Sequence, residues 1–299
     1  MKCSPKTKRE KLGSSPTKCR TYTTGKKIVR TIIDMGYVQI FITGSSSKLL
    51  SREIATQLRG RTLTYEIYPF SFKEFLKARE FEIREYMSSY EKGRLLNLLD
   101  EYLKWGGYPE AVIENKRRKK ILEEIWEVTI ARDIIDRWKI RNIKALRLLI
   151  KALRESREFS IHKFYNYLKS LGLKISKNTL YNYLEYLNDS LIVFPLKKFS
   201  PSYKDVEMSI PKIYFADNGL YLGEGGIDKL MENLVFMEFK RRGCRENKDL
   251  FYWKDHTGRE ADFVIKRKNE IAQLIQVCYE LTPENEKREL NSLIKASKN

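Results

Sequence analysis

Hydrophobic and polar positions change period along the chain, and the changes mark out its elements. After a first stretch with almost no apolar residues, KIVRTIIDMGYVQIFITGSS places Ile28, Ile32 and Ile33 at helical spacing and stops at Gly36. It continues into residues 38–43, a strand too apolar for an exposed edge. A helix over about 47–58 follows, and RTLTYEIYPF alternates Leu63, Tyr65 and Ile67 against Thr64 and Glu66 as a strand does. Ser71 and Glu74 have capping-box spacing and open another helix. Helical patterning then holds to about Leu153, broken at WGGYPE, where Gly106 and Gly107 suit a helix C-terminus and Pro109 the first turn of the next helix. The basic run KRRKK, residues 116–120, begins a helix that continues through ILEEIWEVTIARDIIDRW and reads as a solvated face.

From residue 159 to 200 the pattern predicts one helix with Phe164, Tyr167 and Leu168 inward, a turn around Gly172, and a second helix capped by Ser176 with Leu180, Leu184 and Leu187 inward. An apolar strand over 191–196 and the basic pair Lys197 and Lys198 come next. Helix, short turn, helix and then a β wing is the winged helix-turn-helix order. On that reading the second helix enters a DNA major groove with Lys177, Asn178, Tyr181 and Asn182 outward. Asn suits adenine edges and Lys suits guanine or phosphate, while Lys174, Lys197 and Lys198 neutralise phosphates beside it. Residues 151–200 carry nine basic and four acidic side chains, and Glu185 on the outer face opposes DNA. Such modules also serve as spacers between proteins.

The last hundred residues read as ENLVFMEFKRRG, a helix; LFYWK, EADFVIKRK and AQLIQVCYE, three strands with a tight Asn269-Glu270 turn between the last two; and a final helix from about Glu284. Asp217 in IYFADNGL starts a turn at Asn218-Gly219. The helix, three strands, helix order resembles the start of the restriction-endonuclease-like fold, whose site takes an acid from the first helix, an Asp from the second strand and Glu/Gln-x-Lys from the third. The matching positions are Glu232 or Glu238, Asp262 and Gln276, with Cys278 where the lysine would stand. Two carboxylates and a third oxygen can hold Mg²⁺ against a phosphate, but a neutral thiol cannot replace an ammonium that orients water and offsets transition-state charge. The expectation is a degenerate site with weak metal-dependent nuclease activity as an alternative, Asp262 otherwise capping or pairing with Arg259.

Composition narrows the partners. The 299 residues hold 58 Lys and Arg against 39 Asp and Glu, a net charge of +19, which favours a polyanion such as DNA. Ten basic side chains and one acid, Glu10, fall within the first thirty residues, and residues 1–27 read as a disordered basic arm. No apolar run reaches the roughly 18 residues that span a bilayer and no signal peptide opens the chain, so the expectation is a soluble, cytoplasmic protein without a membrane partner. Cys3, Cys19, Cys244 and Cys278 form no CxxC pair, and His162 and His256 lie far apart, so neither zinc nor a disulfide framework is expected.

Taken together, ITGSSSKLLS, LRGRTLTYEIYPFSFKEF, WGGYPE, IYFADNGL, ENLVFMEF and EADFVI with LIQVCY resemble the prokaryotic AAA-type ATPases, common in archaea, that carry a C-terminal winged helix and a degenerate endonuclease-like domain. The resemblance implies an α/β multidomain chain. It divides into the arm at 1–27, a partial P-loop ATPase core at 28–78, a helical lid and linker at 79–150, the winged helix at 151–200 and the endonuclease-like domain at 201–299. In it Thr43 and Ser45 belong to a sensor strand near the γ-phosphate, and Arg59 and Arg61 are arginine candidates; ATP and Mg²⁺ are the family's cofactors. Family members place GxxxxGK[ST] and an acidic Walker B strand before the sensor, and this sequence contains neither. Gly-Ser-Ser-Ser-Lys at 44–48 lacks P-loop spacing. The resemblance therefore implies a truncated homologue that binds no nucleotide alone and keeps a DNA-binding winged helix. The alternative is one part of a split ATPase, completed by a P-loop chain or by a homo-oligomer.

Overall fold

The computed structural model describes Phe41, Leu63 and residues 65–268 and 270–297. The expected arm at 1–27, the elements at 28–58 and the candidates Thr43, Ser45, Arg59 and Arg61 lie outside the described residues. The chain divides into two compact units, and every element below belongs to the one that contains Tyr65–Asn299.

Local signals set the first helices. Helix α1, Phe72–Ala78, opens on the expected capping box, with Ser71 N–H donating to Glu74 Oε2 at 2.8 Å and Glu74 N–H to Ser71 Oγ at 3.3 Å. Helix α2, Ser89–Trp105, repeats the device with Ser88 and Glu91. It ends at Gly106, and Pro109 begins the short helix α3, Pro109–Ile113. The basic run passes through a 3₁₀ turn into α4, Arg118–Thr129, which continues through a π-helical stretch, Ile130–Asp136. Arg118 pairs with Glu101 at 2.8 Å, and Lys116, Arg117, Lys119 and Lys120 stay exposed. Of the strand predicted through 61–70, the described part, Leu63 and residues 65–70, is not a strand: Tyr65 and Ile67 are 78% and 87% exposed, and no described strand pairs with it. The chain is held instead by side chains and at its end: Glu66 pairs with Lys240 at 3.7 Å, Tyr68 packs against the core, Arg241 donates to Pro69 O at 3.1 Å, Phe70 N–H donates to Gly107 O at 2.8 Å and Tyr102 O–H to Phe70 O at 2.6 Å.

Helices α5, Ile143–Glu155, α6, Ile161–Ser170, and α7, Lys177–Asp189, then pack on a two-stranded sheet. Its strands β1, Val193–Leu196, and β2, Lys212–Phe215, are antiparallel, with Val193 opposite Phe215 and Leu196 opposite Lys212. Helix α8, Tyr203–Met208, lies in the connection between them. Glu158, between α5 and α6, bridges Lys212 on the other edge of β2. Phe164, Leu168, Leu180, Leu184 and Leu187 are buried as their spacing predicts. Tyr167 is not: it is 52% exposed, and Tyr183 supplies the buried aromatic instead. β1 begins two residues later than expected, because Leu191 takes a left-handed backbone, φ 55°, that closes the turn after α7. The C-terminal end of α5 is covered by Lys229, whose ammonium donates to the carbonyls of Arg154 and, at 2.8 Å, Ser156; burial pushes that ammonium down to about 8.

Helix α9, Ile227–Arg241, precedes three antiparallel strands, β3 Leu250–Lys254, β4 Glu260–Arg267 and β5 Glu270–Ile275, joined in chain order, and helix α10, Pro283–Ala296, follows. Arg267 faces Glu270, so the reversal falls at 268–269, one residue before the predicted turn. One sheet face packs Tyr252, Phe263 and Ile265 with Phe236 and Met237 of α9. The other packs Phe251, Trp253, Ala261 and Val264 with Leu293 and Ala296 of α10. The sheet therefore has a helix on each face, and the described residues form an α/β fold with small antiparallel sheets.

The motifs WGGYPE, IYFADNGL and ENLVFMEF meet in one buried polar knot. Asp217 starts the expected turn, accepting Gly219 N–H at 2.8 Å, and its second oxygen accepts Gly107 N–H at 2.8 Å from 110 residues away. Burial pushes its carboxyl up to about 6, against the pull of those two N–H groups. Asn218 donates to Leu103 O and Leu230 O, both at 2.9 Å. Asn233 accepts Phe215 N–H at 2.7 Å and donates to Phe215 O at 3.0 Å and to Asn218 Oδ1 at 2.8 Å. Gly106 makes the approach possible: its φ is +71°, and a Cβ there would lie 1.7 Å from Asp217 Oδ1. Gly106→Ala is therefore expected to cost at least about 2 kcal/mol in urea unfolding. Gly93→Ala, mid-helix in α2 with nothing within 4 Å of its Cβ, should gain up to about 1 kcal/mol in the same assay.

Candidate functional site

The apolar strand β2 begins with a lysine, and the fold gathers acids around it. Lys212 is 2% exposed. Its Nζ lies 2.8 Å from Glu232 Oε1 on α9 and 2.9 Å from Asp262 Oδ1 on β4, and it also pairs with Glu260, two residues before Asp262 on the same strand. An ammonium has three N–H donors, and each has a carboxylate. Tyr214, two residues along β2, donates its O–H to the same Glu232 oxygen at 2.5 Å. The other Asp262 oxygen accepts Val277 N–H at 2.9 Å. Lys254 of β3 pairs with Glu260 at 3.4 Å and with Glu158, so the ionic chain runs back to the segment between α5 and α6.

The electrostatics follow from burial. For Lys212 burial works against the charge, but Glu232, then Asp262 and Glu260, outweigh it and hold the ammonium above its ordinary value. Burial, with Glu232 adding to it, pushes the Asp262 carboxyl up; Lys212 and Val277 N–H pull the other way without prevailing. Glu260 is also opposed by burial, yet Lys212 and Lys254 bring its carboxyl below the usual range. The Tyr214 phenol is driven well up by burial beside Glu232.

Of the nuclease-like candidates, Asp262 is in this cluster and Glu232 is its helix acid. Glu238 is one and a half turns further along α9, pairs with Arg242 at 2.8 Å and does not reach Asp262. Gln276 lies just past β5 and accepts Asp262 N–H through its side chain at 3.3 Å, touching backbone rather than the carboxylates. Cys278 Sγ turns away to Glu280 O at 2.8 Å. Asp262 pairs with Lys212, not Arg259. A lysine does lie among these carboxylates, but it is carried by β2 and not by the third strand. Its sequence signal is a lone charge inside the apolar stretch IPKIYFA.

Mg²⁺ as a nuclease cofactor does not fit this arrangement. The ammonium fills the space between the carboxylates, and among the described residues no three His, Cys, Asp or Glu side chains are placed to hold a metal ion. Mg²⁺ with ATP, held as P-loop enzymes hold it, needs a GxxxxGK[ST] loop, and the sequence has none. No step below is routed through either.

The candidate DNA-contacting residues fall on one face of the α6–α7 pair. Lys174, Asn178, Tyr181 and Asn182 are exposed. Lys177 is partly covered, with its Nζ 2.8 Å from His162 Nδ1 and 5.3 Å from the centre of the Tyr165 ring. Lys197 and Lys198 are set differently. The chain there runs beside β3, with Tyr252 N–H donating to Lys197 O at 3.2 Å and Phe199 N–H to Tyr252 O at 2.6 Å, and Lys197 Nζ pairs with Glu207 at 2.5 Å.

Comparison with known proteins bears on the whole chain. Residues 20–76 match a AAA domain model, residues 96–229 a domain of unknown function (DUF8612) and residues 228–298 a second one (DUF4143). An uncharacterized protein of Methanocaldococcus jannaschii is 45% identical over 280 residues, covering 91% of this chain and 62% of its own length. An uncharacterized protein of Haemophilus influenzae is 31% identical over 269 residues, covering 87% of this chain and 64% of its own. The chain therefore spans less than two thirds of either relative. No solved structure matches. These matches relate the chain to an AAA-ATPase-like family. Among the described residues, no helix is long and apolar enough to cross a membrane.

The Lys212 cluster makes a direct prediction. Lys212→Ala leaves buried carboxylates without their cation and is expected to lower unfolding free energy by about 3–5 kcal/mol, whereas Glu238→Ala should stay within about 0.5 kcal/mol of wild type. Paired denaturation curves measure both.

Proposed function

We propose that this chain is the nucleic-acid-binding part of an AAA-ATPase-like protein, with α7 as a DNA-reading helix. The observation that carries the proposal is the outer surface of α6 and α7. Residues 159–184 contain four lysines and no acid, and Asn178, Tyr181 and Asn182 stand exposed in the first half of the second helix. The order α5, Glu158 bridge, α6, α7, β1, β2 supports a winged helix-turn-helix reading, in which that half-helix faces base edges. Lys174 and Lys177 then meet phosphate, and the two asparagines meet adenine. Lys197 and Lys198 contribute less, since the connection that bears them is laid along β3 and Lys197 already neutralises Glu207.

A second reading rests on the AAA match over residues 20–76, which contains Thr43, Ser45, Arg59 and Arg61. In it the chain is one part of an ATP-hydrolysing assembly, sensing a phosphate held by a P-loop on another polypeptide or copy, with Arg59 or Arg61 acting in trans. The two readings are compatible. A nuclease reading gains no support from a lysine enclosed by all three carboxylates.

Fluorescence anisotropy on a duplex of about 25 base pairs, repeated from 50 to 300 mM KCl, tests DNA binding. The logarithm of affinity should fall linearly with that of salt, and K174A/K177A should reduce the slope by about 2. Salt-independent binding, or a slope unchanged by the two substitutions, refutes α7 as the reading helix. Titration of the purified chain with a fluorescent ATP analogue is expected to show no saturable micromolar binding; its presence would refute the need for a P-loop from elsewhere.

A further inference from the structure

We propose that the Lys212 ammonium is the resident cation of the nuclease-like centre, standing where a divalent ion would stand, so that the intact protein binds no divalent cation there and loss of the ammonium opens a site of calcium's size.

The donors are of the type a hard cation takes, although with the ammonium among them they are not placed to hold a metal ion. Glu232, Glu260 and Asp262 offer only carboxylate oxygen, the ligand type that Ca²⁺ and Mg²⁺ take. Two of the three are aimed by further partners: Tyr214 O–H donates to Glu232 and Val277 N–H to Asp262. Such outer partners keep ligands oriented whether or not the centre is filled. Lys212 takes up all three carboxylates, and its donors are all spent on them. A metal entering the intact centre meets that fixed positive charge and must expel a side chain that is 2% exposed.

Size and charge say what replaces it. Ammonium to oxygen distances of 2.8 and 2.9 Å must close by only about 0.2–0.6 Å to reach the roughly 2.3–2.6 Å of calcium ligation. Magnesium, at about 2.0–2.1 Å with near-ideal octahedral demands, requires a larger collapse. Without Lys212, Glu260 keeps Lys254, which Glu158 shares; Glu232 keeps only the more distant pull of Lys229, whose donors go to the Arg154 and Ser156 carbonyls; and Asp262 loses the cation it pairs with. A divalent ion restores the balance that the lost ammonium supplied.

Tb³⁺, a luminescent ion of calcium's size, reads the site through energy transfer from tyrosine; the Tyr252 ring lies 5.5 Å from Lys212 Nζ. Wild type should show no saturable Tb³⁺ site that depends on Asp262. Lys212→Ala should gain one, roughly tenfold tighter or more than any wild-type signal, displaced by Ca²⁺ and lost in K212A/D262N. Ca²⁺ should also raise the melting temperature of K212A by several degrees while leaving wild type unmoved. A saturable wild-type site abolished by Asp262→Asn overturns the proposal. So does a K212A or K212M protein that Ca²⁺ neither binds nor stabilises, including one that is unfolded and that Ca²⁺ fails to refold.

Discussion

Two buried carboxylates, Glu232 and Asp262, with the partly exposed Glu260 beside them, can stay ionised only with a cation among them, and the described fold meets that constraint with Lys212. Glu232 comes from α9, Glu260 and Asp262 from β4, and Lys212 from β2, a strand of the other sheet. Each ion alone would pay a desolvation cost of several kcal/mol, so none of these elements holds its place without the others. The ammonium is the least replaceable member, because it touches all three acids and the acids do not satisfy one another. Burial of Lys212 thus fixes β2 simultaneously against α9 and β4.

The shared strand explains why residues 151–200 and 201–299 do not separate cleanly. β2 pairs with β1 of the helix-turn-helix segment and bridges Glu158 before α6, yet it also carries the lysine and tyrosine of the acidic centre. Three residues past Tyr214 the chain enters the Asp217 knot, which fastens the end of α2 to α9 through Asn218 and Asn233. One centre is ionic and the other is mostly amide hydrogen bonds, but both are buried at their middle and draw their value from satisfying every member. Together they make IYFADNGL the line along which helical, two-stranded and three-stranded parts are joined. The spacer role of such modules and the DNA-reading role then involve different faces: the inner face of β2 does the joining, the outer face of α7 stays open.

Much of this was legible locally. Ser71 with Glu74 named its capping box, Gly106 and Pro109 named a break between helices, and the leucines of α6 and α7 named their buried faces. The failures share a cause. Alternation at 63–67 promised a strand, but a strand needs a partner, and among the described residues it has none. Tyr167 lies off the buried stripe of Ile161, Phe164 and Leu168 on α6, while Tyr183 of α7, not among the residues predicted inward, is buried. Lys212 offered only its lone charge in an apolar stretch, because its partners lie 20, 48 and 50 residues away and a lysine at the start of a strand ordinarily faces water. Searching the third strand for the nuclease lysine led to Cys278, which is turned out of the centre altogether.

The net charge of +19 looks at first like the argument for a polyanionic partner, yet its distribution matters more than its size. Nine of those nineteen charges fall in the first thirty residues, outside the described fold, where they speak for non-specific attraction and for nothing else. Inside the fold many lysines are already committed: Lys212 and Lys254 to the acidic centre, Lys229 to the end of α5, Lys240 to Glu246, Lys197 to Glu207. A lysine paired within the protein releases no counterion when DNA arrives. What distinguishes α6 and α7 is the reverse condition, a stretch of 26 residues without an acid, in which Lys174 stands exposed beside two asparagines and a tyrosine. Specific recognition needs hydrogen-bonding side chains held on a rigid helix next to uncommitted positive charge, and this surface has both. The case for DNA therefore rests on four exposed side chains and the acid-free stretch that bears them, with the exposed Glu185 one turn beyond Tyr181 opposing it, and would stand if the basic arm were neutral.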